Sequence, residues 1–218
     1  MEGIRHFTNI PAAPNWQRIS HQLASGSRRD VGGVLAKARY GREAAYVHSL
    51  VQLQGVWCPK AAVRLGTNVI ELAGGRRITS RNLAELLGHR QHLLLLACTA
   101  GGSIDEAVQE ALLRGEAHRA VVWDALAADL VLQGMDWLLQ SAAAALRSVE
   151  LTPHRRRLAV GFGDFALTNQ GWLLEELQLE QLGIRNTASH ALVPSKTATA
   201  VVPLQRLRSL SLQGVERS

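Results

Sequence analysis

The chain has 218 residues but only two cysteines, Cys58 and Cys98. Each stands alone in an apolar setting with no Cys-x-x-Cys or His-x-x-x-His spacing nearby. That leaves no disulfide framework and no cysteine-based metal site, and the expectation is two reduced, mostly buried thiols. Long hydrophobic runs are also missing. No apolar stretch of signal-peptide length follows residues 1–5, and the richest apolar region, 117–146, is interrupted by Asp124, Asp129 and Asp136. A soluble, cytoplasmic protein without a membrane span is expected. Aromatic residues make up only 5% of the chain and few lie near the arginines, so the stacking platform of a nucleic-acid binder is missing.

Several chemical signatures are absent as well. There is no Gly-x-Ser-x-Gly context for a Ser-His-Asp arrangement. Seven of the eight histidines, His21, His48, His89, His92, His118, His154 and His190, are dispersed, without a second ligand at metal or triad spacing. Asp105, Glu106, Asp124 and Asp129 fall in helical segments, where capping and solvated faces account for them without a paired-carboxylate mechanism. Neither a catalytic residue nor a metal ligand is assigned.

What the chain does have is hydrophobic content, 47%, enough for a substantial core, and one compact domain spanning 1–218 is expected. It also has positive charge, a net +6, drawn far more from arginine than from lysine and scattered through 28–42, 76–90, 154–157 and 204–217. Such a surface attracts anions in general and does not choose between phosphate, nucleic acid and an acidic protein face.

The pattern alternates strands and helices. "HLLLLACT" at 92–99 is an apolar run too short for an ordinary helix, so it reads as a strand covered on both faces. "TAGGSIDEAVQEALLRG" then supplies a glycine turn, Ser103 with Glu106 as a reciprocal capping pair, and Gly115 as a stop. From 116 to 149 apolar residues recur at helical spacing until Pro153, which predicts a long helix as the spine of the core. "SRNLAELLG" predicts a short helix over 80–88, and Thr168 caps a further helix that Gly183 ends. "VIELAGGRRITS" reads as a hairpin, and "ASHALVPSKTATAVVPL" as a strand, a proline turn and a second strand. The class is α/β or α+β with a largely antiparallel sheet.

Two stretches carry candidate binding chemistry. Thr99, Ala100, Gly101, Gly102 and Ser103 form a strand-to-helix turn whose free amides suit an anion, yet it lacks the Lys-Ser/Thr ending of a P-loop and the three-glycine dinucleotide pattern, so a plain structural turn is the stronger reading. The other is "PHRRRLAVGFGDFALT" at 153–168. Alternation would place Arg155, Arg157, Ala159 and Gly161 on one side of a strand. Small Ala159 and Gly161 would admit a flat ligand near the backbone, with Arg157 as an anion-binding fork. The competing reading is a solvated basic loop followed by an ordinary strand.

The ordered set "LLLLACTAGGSIDEAVQEALLRGEAHRAVVWDALAADL", "RLAVGFGD" and "LGIRNTASHALVPSKTATAVV" resembles the activation domain of cobalamin-dependent methionine synthase and its stand-alone relatives, over roughly 92–203. The resemblance implies a C-shaped domain with a bent, largely antiparallel sheet flanked by helices. It also implies S-adenosylmethionine binding, with the family's Arg-x-Ala-x-Gly-Tyr contacts falling on Arg157, Ala159, Gly161 and Phe162. The chain departs from the family at four places, the first being "NIPAAPNW" at 9–16, which offers no acidic residue for the family's N-terminal contact. Phe162 stands for the usual Tyr, Ala166 for the usual Pro, and Leu132, beside Gln133, where a donor-binding Glu is expected on the long helix.

The function so implied is assistance to the reductive methylation of a corrinoid methyltransferase. Cobalamin would be carried by that partner, and a reductase would supply the electron. This chain would then be at most the activation subunit of the enzyme. The alternative is a non-catalytic scaffold of the same fold that binds the corrinoid protein without the methyl donor. A basic nucleic-acid-binding protein ranks behind both.

Overall fold

The computed structural model describes residues 3–24 and 32–207. Parts of the arginine-bearing stretches 28–42 and 204–217 therefore lie outside the described residues. In chain order the elements are β1 (Arg5–Phe7), α1 (Trp16–Ala24), α2 (Gly32–Leu50), β2 (Gln54–Leu65), β3 (Val69–Leu72), β4 (Arg77–Thr79), α3 (Arg81–Leu87) and β5 (His92–Thr99). There follow α4 (Ser103–Leu113), α5 (Ala117–Leu146), β6 (Leu151–Pro153), β7 (Leu158–Ala159), α6 (Gln170–Glu176), β8 (Arg185–Asn186), β9 (Leu192–Val193) and β10 (Thr197–Arg206).

The main sheet runs β4-β3-β2-β5-β10-β6, with β1 on β2 and β7 on β10, and its pairings are antiparallel. β2 pairs with β5 through Gln54–Ala61 and with β3 from Ala62 onward. One long strand thus serves two partners in succession within a strongly curled sheet.

The central strand β5 is buried on both faces, as its unbroken apolar run predicts. Leu94, Leu96 and Cys98 point into a core shared with α1, α2, α4 and α5. Leu93, Leu95 and Ala97 point into a second core shared with β3, β4, α3 and α6. Both thiols are buried and outside any disulfide, Cys98 in the first core and Cys58 in the second, so the sheet itself separates them. Burial pushes the Cys98 thiol up to about 12, which leaves it unreactive at neutral pH.

Three local expectations are corrected. The Ser103/Glu106 capping pair does not form: Gly102 precedes the helix with no side-chain cap bond. Asp105 from that first turn instead accepts from the Ser195 amide at 2.6 Å and the Ser195 hydroxyl at 2.7 Å, because the chain before β10 passes over the helix start. The helix expected from Thr168 to Gly183 begins after a 3-10 turn, without a Thr168 cap, and breaks at Gln178, which takes a left-handed conformation (φ 51°). A second short 3-10 turn follows it. Asp129 is not on a solvated face. It is fully buried, accepts from the Asn15 amide at 2.7 Å and lies 3.2 Å from Arg18, so it anchors the segment leading into α1 against α5.

Candidate functional site

The segment 157–164 forms at the sheet edge. β7 is only Leu158 and Ala159, paired with Val201 and Ala200 of β10, so the strand expected across Arg155, Arg157, Ala159 and Gly161 is far shorter than the alternation implied. The cause is the turn that follows. Gly161 donates to the Phe165 carbonyl at 2.7 Å and Phe165 donates back to Phe162 at 3.1 Å, so the chain reverses at once. Gly161 adopts φ +86°, and a Cβ there would lie 2.8 Å from Leu167. The glycine is therefore required by the turn itself, with no need of a ligand.

Asp164 fastens this turn to α3. Its carboxylate accepts from the Ser80 hydroxyl (2.8 Å) and from the Arg81 and Asn82 amides (2.6 and 3.2 Å). The free amides of a helix start are thereby satisfied from a segment more than eighty residues away. The Ser80 hydroxyl bond, followed by the Arg81 and Asn82 amides, holds the Asp164 carboxyl below its ordinary range. Phe165 is buried beneath the turn, whereas Phe162 projects outward with 70% of its surface exposed.

Pairing of Ala159 with Ala200 puts Ala159 and Arg157 on the face that carries α5. There Arg157 Nη1 meets Asp136 Oδ1 at 2.8 Å, with side chains 31% and 43% exposed. Asp136 lies four residues beyond Leu132, hence on the same flank of α5. A cleft of about 310 Å³ opens next to Arg157 and Phe162, with Asn82 and Glu85 of α3 on its other wall. Of the four expected ligand-binding residues, the cleft brings Arg157 and Phe162 together, while Ala159 and Gly161 lie exposed on the adjoining edge.

Asp136, Asn82 and Glu85 were not among the expected site residues. Asp136 had a readable signal, an acid one helical turn from Leu132 on an otherwise apolar helix. Asn82 and Glu85 had none, because only the tertiary fold carries α3 to the turn.

The glycine turn after β5 is tied to the chain entering β10. The Ala100 amide donates to Lys196 O at 2.9 Å and the Gly101 amide to the Thr99 hydroxyl at 3.2 Å, so these two amides are taken. Lys196 in turn pairs with Asp124 of α5 at 2.6 Å. Asp124 and Asp105 thus tie the chain entering β10 to α5 and α4. Among the described residues no helix is long and apolar enough to cross a membrane.

No family model matches the chain, and no curated protein sequence does. Among solved structures, the MetH reactivation domain crystallised with AdoHcy bound is similar, with a TM-score of 0.66 at 14% sequence identity, over 92% of this chain and 78% of that one. At that identity the likeness establishes the fold: both have a strongly curled antiparallel sheet flanked by helices.

Proposed function

We propose that the chain is an activation-type accessory domain that binds S-adenosylmethionine, or its product S-adenosylhomocysteine, beside Arg157 and serves a corrinoid-carrying methyltransferase partner. The observation that carries this reading is the Arg157–Asp136 pair standing next to exposed Phe162, in a fold whose solved neighbour holds AdoHcy. The amino-acid end of such a ligand is zwitterionic. Arg157 suits its carboxylate, and Asp136 supplies the acid for its ammonium that Leu132 does not.

The pair is half exposed, so breaking it costs about 0–1 kcal/mol and a ligand can insert between its members cheaply. Phe162 offers an aromatic face without a hydroxyl. Ala159, at the sheet edge, leaves room for a flat group against the backbone. When bound, the donor supplies the methyl group. The role of this chain is to hold and orient it against the partner's corrinoid while a reductase delivers an electron.

Calorimetry with S-adenosylhomocysteine and S-adenosylmethionine tests the ligand half of the proposal. Saturable binding that weakens about tenfold or more in both Arg157→Ala and Asp136→Asn supports it, as expected for loss of one charge-assisted contact each. No heat at millimolar ligand removes the donor site. The non-catalytic scaffold then becomes the better reading, favoured by the missing Phe162 hydroxyl and by Leu132 in place of the donor-binding Glu. Co-purification with a corrinoid protein tests the partner half separately.

A further inference from the structure

We propose a second site, distinct from the Arg157 cleft, for a small, multiply charged phosphate-bearing ligand at the opposite end of β5 and β10 from the glycine turn. A cavity of about 530 Å³ opens there, lined by His89, Arg90, His92, Glu150, Gln205 and Arg206 among others. The sheet register assembles it. Leu204 lies between His92 of β5 and Pro153 of β6, and Arg206 opposite Leu151, so the first residue of one central strand and the last of the other open on the same end. The loop leaving α3 adds His89 and Arg90.

Arg90 is fixed in place, its Nη1 donating to the Leu86 and Leu87 carbonyls at 3.3 and 3.4 Å. A guanidinium held in this way loses little side-chain freedom on meeting an anion. The positive field continues beyond the cavity. Arg155 follows β6, and His154, held by its amide to Pro203 O at 2.8 Å, is pushed below its ordinary range by burial and then by Arg90, Arg155 and Arg156, the last of which lines the Arg157 cleft.

Among the described residues these arginines lack direct ion-pair partners. Arg76, Arg77, Arg81, Arg114, Arg119 and Arg157 each have a carboxylate within ion-pair distance. Among the described residues none lies so close to Arg90, Arg155, Arg156 or Arg206, and Glu150 is the one acid in the cavity lining. Arg90 and Arg206, facing the single carboxylate of Glu150 across an open cavity, favour an anion with several oxygens. The space is within the roughly 300–1,000 Å³ typical of small-molecule sites, and its lining carries no Phe, Tyr or Trp to act as a stacking platform for the bases of a nucleic acid.

Titration calorimetry of the full chain with inorganic pyrophosphate at constant ionic strength tests the proposal. One-site saturation is expected, weakened about tenfold or more by Arg206→Glu, since a charge-assisted contact becomes a repulsion, and changed less than about twofold by Arg157→Ala. Arg206 is exposed, and circular dichroism of the variant checks that the fold persists; Arg206→Gln gives the same reading with a smaller loss. No saturation, equal binding by the Arg206 variants, or a loss on Arg157→Ala each overturns the site. Steeply salt-dependent retention on DNA without pyrophosphate saturation does so too, and would assign the charge to an extended nucleic-acid surface. The two variants separate the sites: pyrophosphate held in the Arg157 cleft would be lost on Arg157→Ala and kept in the Arg206 variants.

Discussion

Gly134 of α5 crosses β5 at Cys98, where a Cβ on the glycine would lie 2.5 Å from Cys98 Sγ. The helix can press this closely on the strand only because the side chain is missing. Gly134→Ala should therefore cost about 1–3 kcal/mol through overpacking, despite the better helix propensity of alanine. Urea denaturation would measure the loss, and Cys98→Ala in the same chain should restore part of it, giving a non-zero coupling in a double-mutant cycle. Asp164 offers a second test. Its folded-state pKa is lowered from 3.8, so its stabilisation is complete above that value and disappears as pH falls through the lower folded-state value. Asp164→Asn should reduce the melting temperature at pH 7, and the difference from the unaltered chain should close below pH 3.8.

Among the elements, α5 and the edge strand β7 meet through Arg157 and Asp136. Because that pair is half exposed, Arg157→Ala and Asp136→Asn should each shift stability by no more than about 1 kcal/mol in thermal melts, whatever they do to ligand affinity. A larger loss would make the pair a structural brace instead of a binding pair. The elements themselves were readable where local signals were strong. β5 occupies the stretch that its apolar run marked, α3 starts on the Ser80 cap with Ser80 Oγ accepting from Leu83 N at 3.1 Å, and the Gly74–Gly75 hairpin forms. What escaped reading had no clear local signal. Ser195 engages Asp105 at the start of α4 where the Ser103/Glu106 pair was expected, the Gly161–Phe165 reversal that cuts β7 short is tied to α3 by Asp164, and Gln178 breaks a helix at a residue with no glycine to announce it. The site divides in the same way: Arg157 and Phe162 lie in a local motif, whereas Asn82 and Glu85 arrive only by folding.

For the molecule as a whole, the two cores are not independent. β2, β5 and β10 place residues in both, with Trp57 and Cys58, Leu94 and Leu95, and Val202 and Val201 facing opposite ways. Loss of either core exposes one face of the same strands, so 1–218 should unfold in a single transition. Tryptophan fluorescence, with Trp57 and Trp123 in one core and Trp172 in the other, should coincide with far-ultraviolet circular dichroism across a urea series. Separate midpoints would mean two cooperative units.

The two-sided burial of β5 also bears on how the chain comes to be made. β2, which covers one edge of β5, precedes it in the chain, but β10, which covers the other, begins at Thr197. During synthesis the most apolar strand of the protein therefore waits about a hundred residues for its second neighbour, at a typical ~5–20 residues per second, with one row of amides and carbonyls unpaired. Its folding speed is set by that long closure more than by any local propensity. A nascent chain stalled or cleaved before Thr197 would present the eight-residue run from His92 to Thr99 as an open edge, ready to pair with another copy.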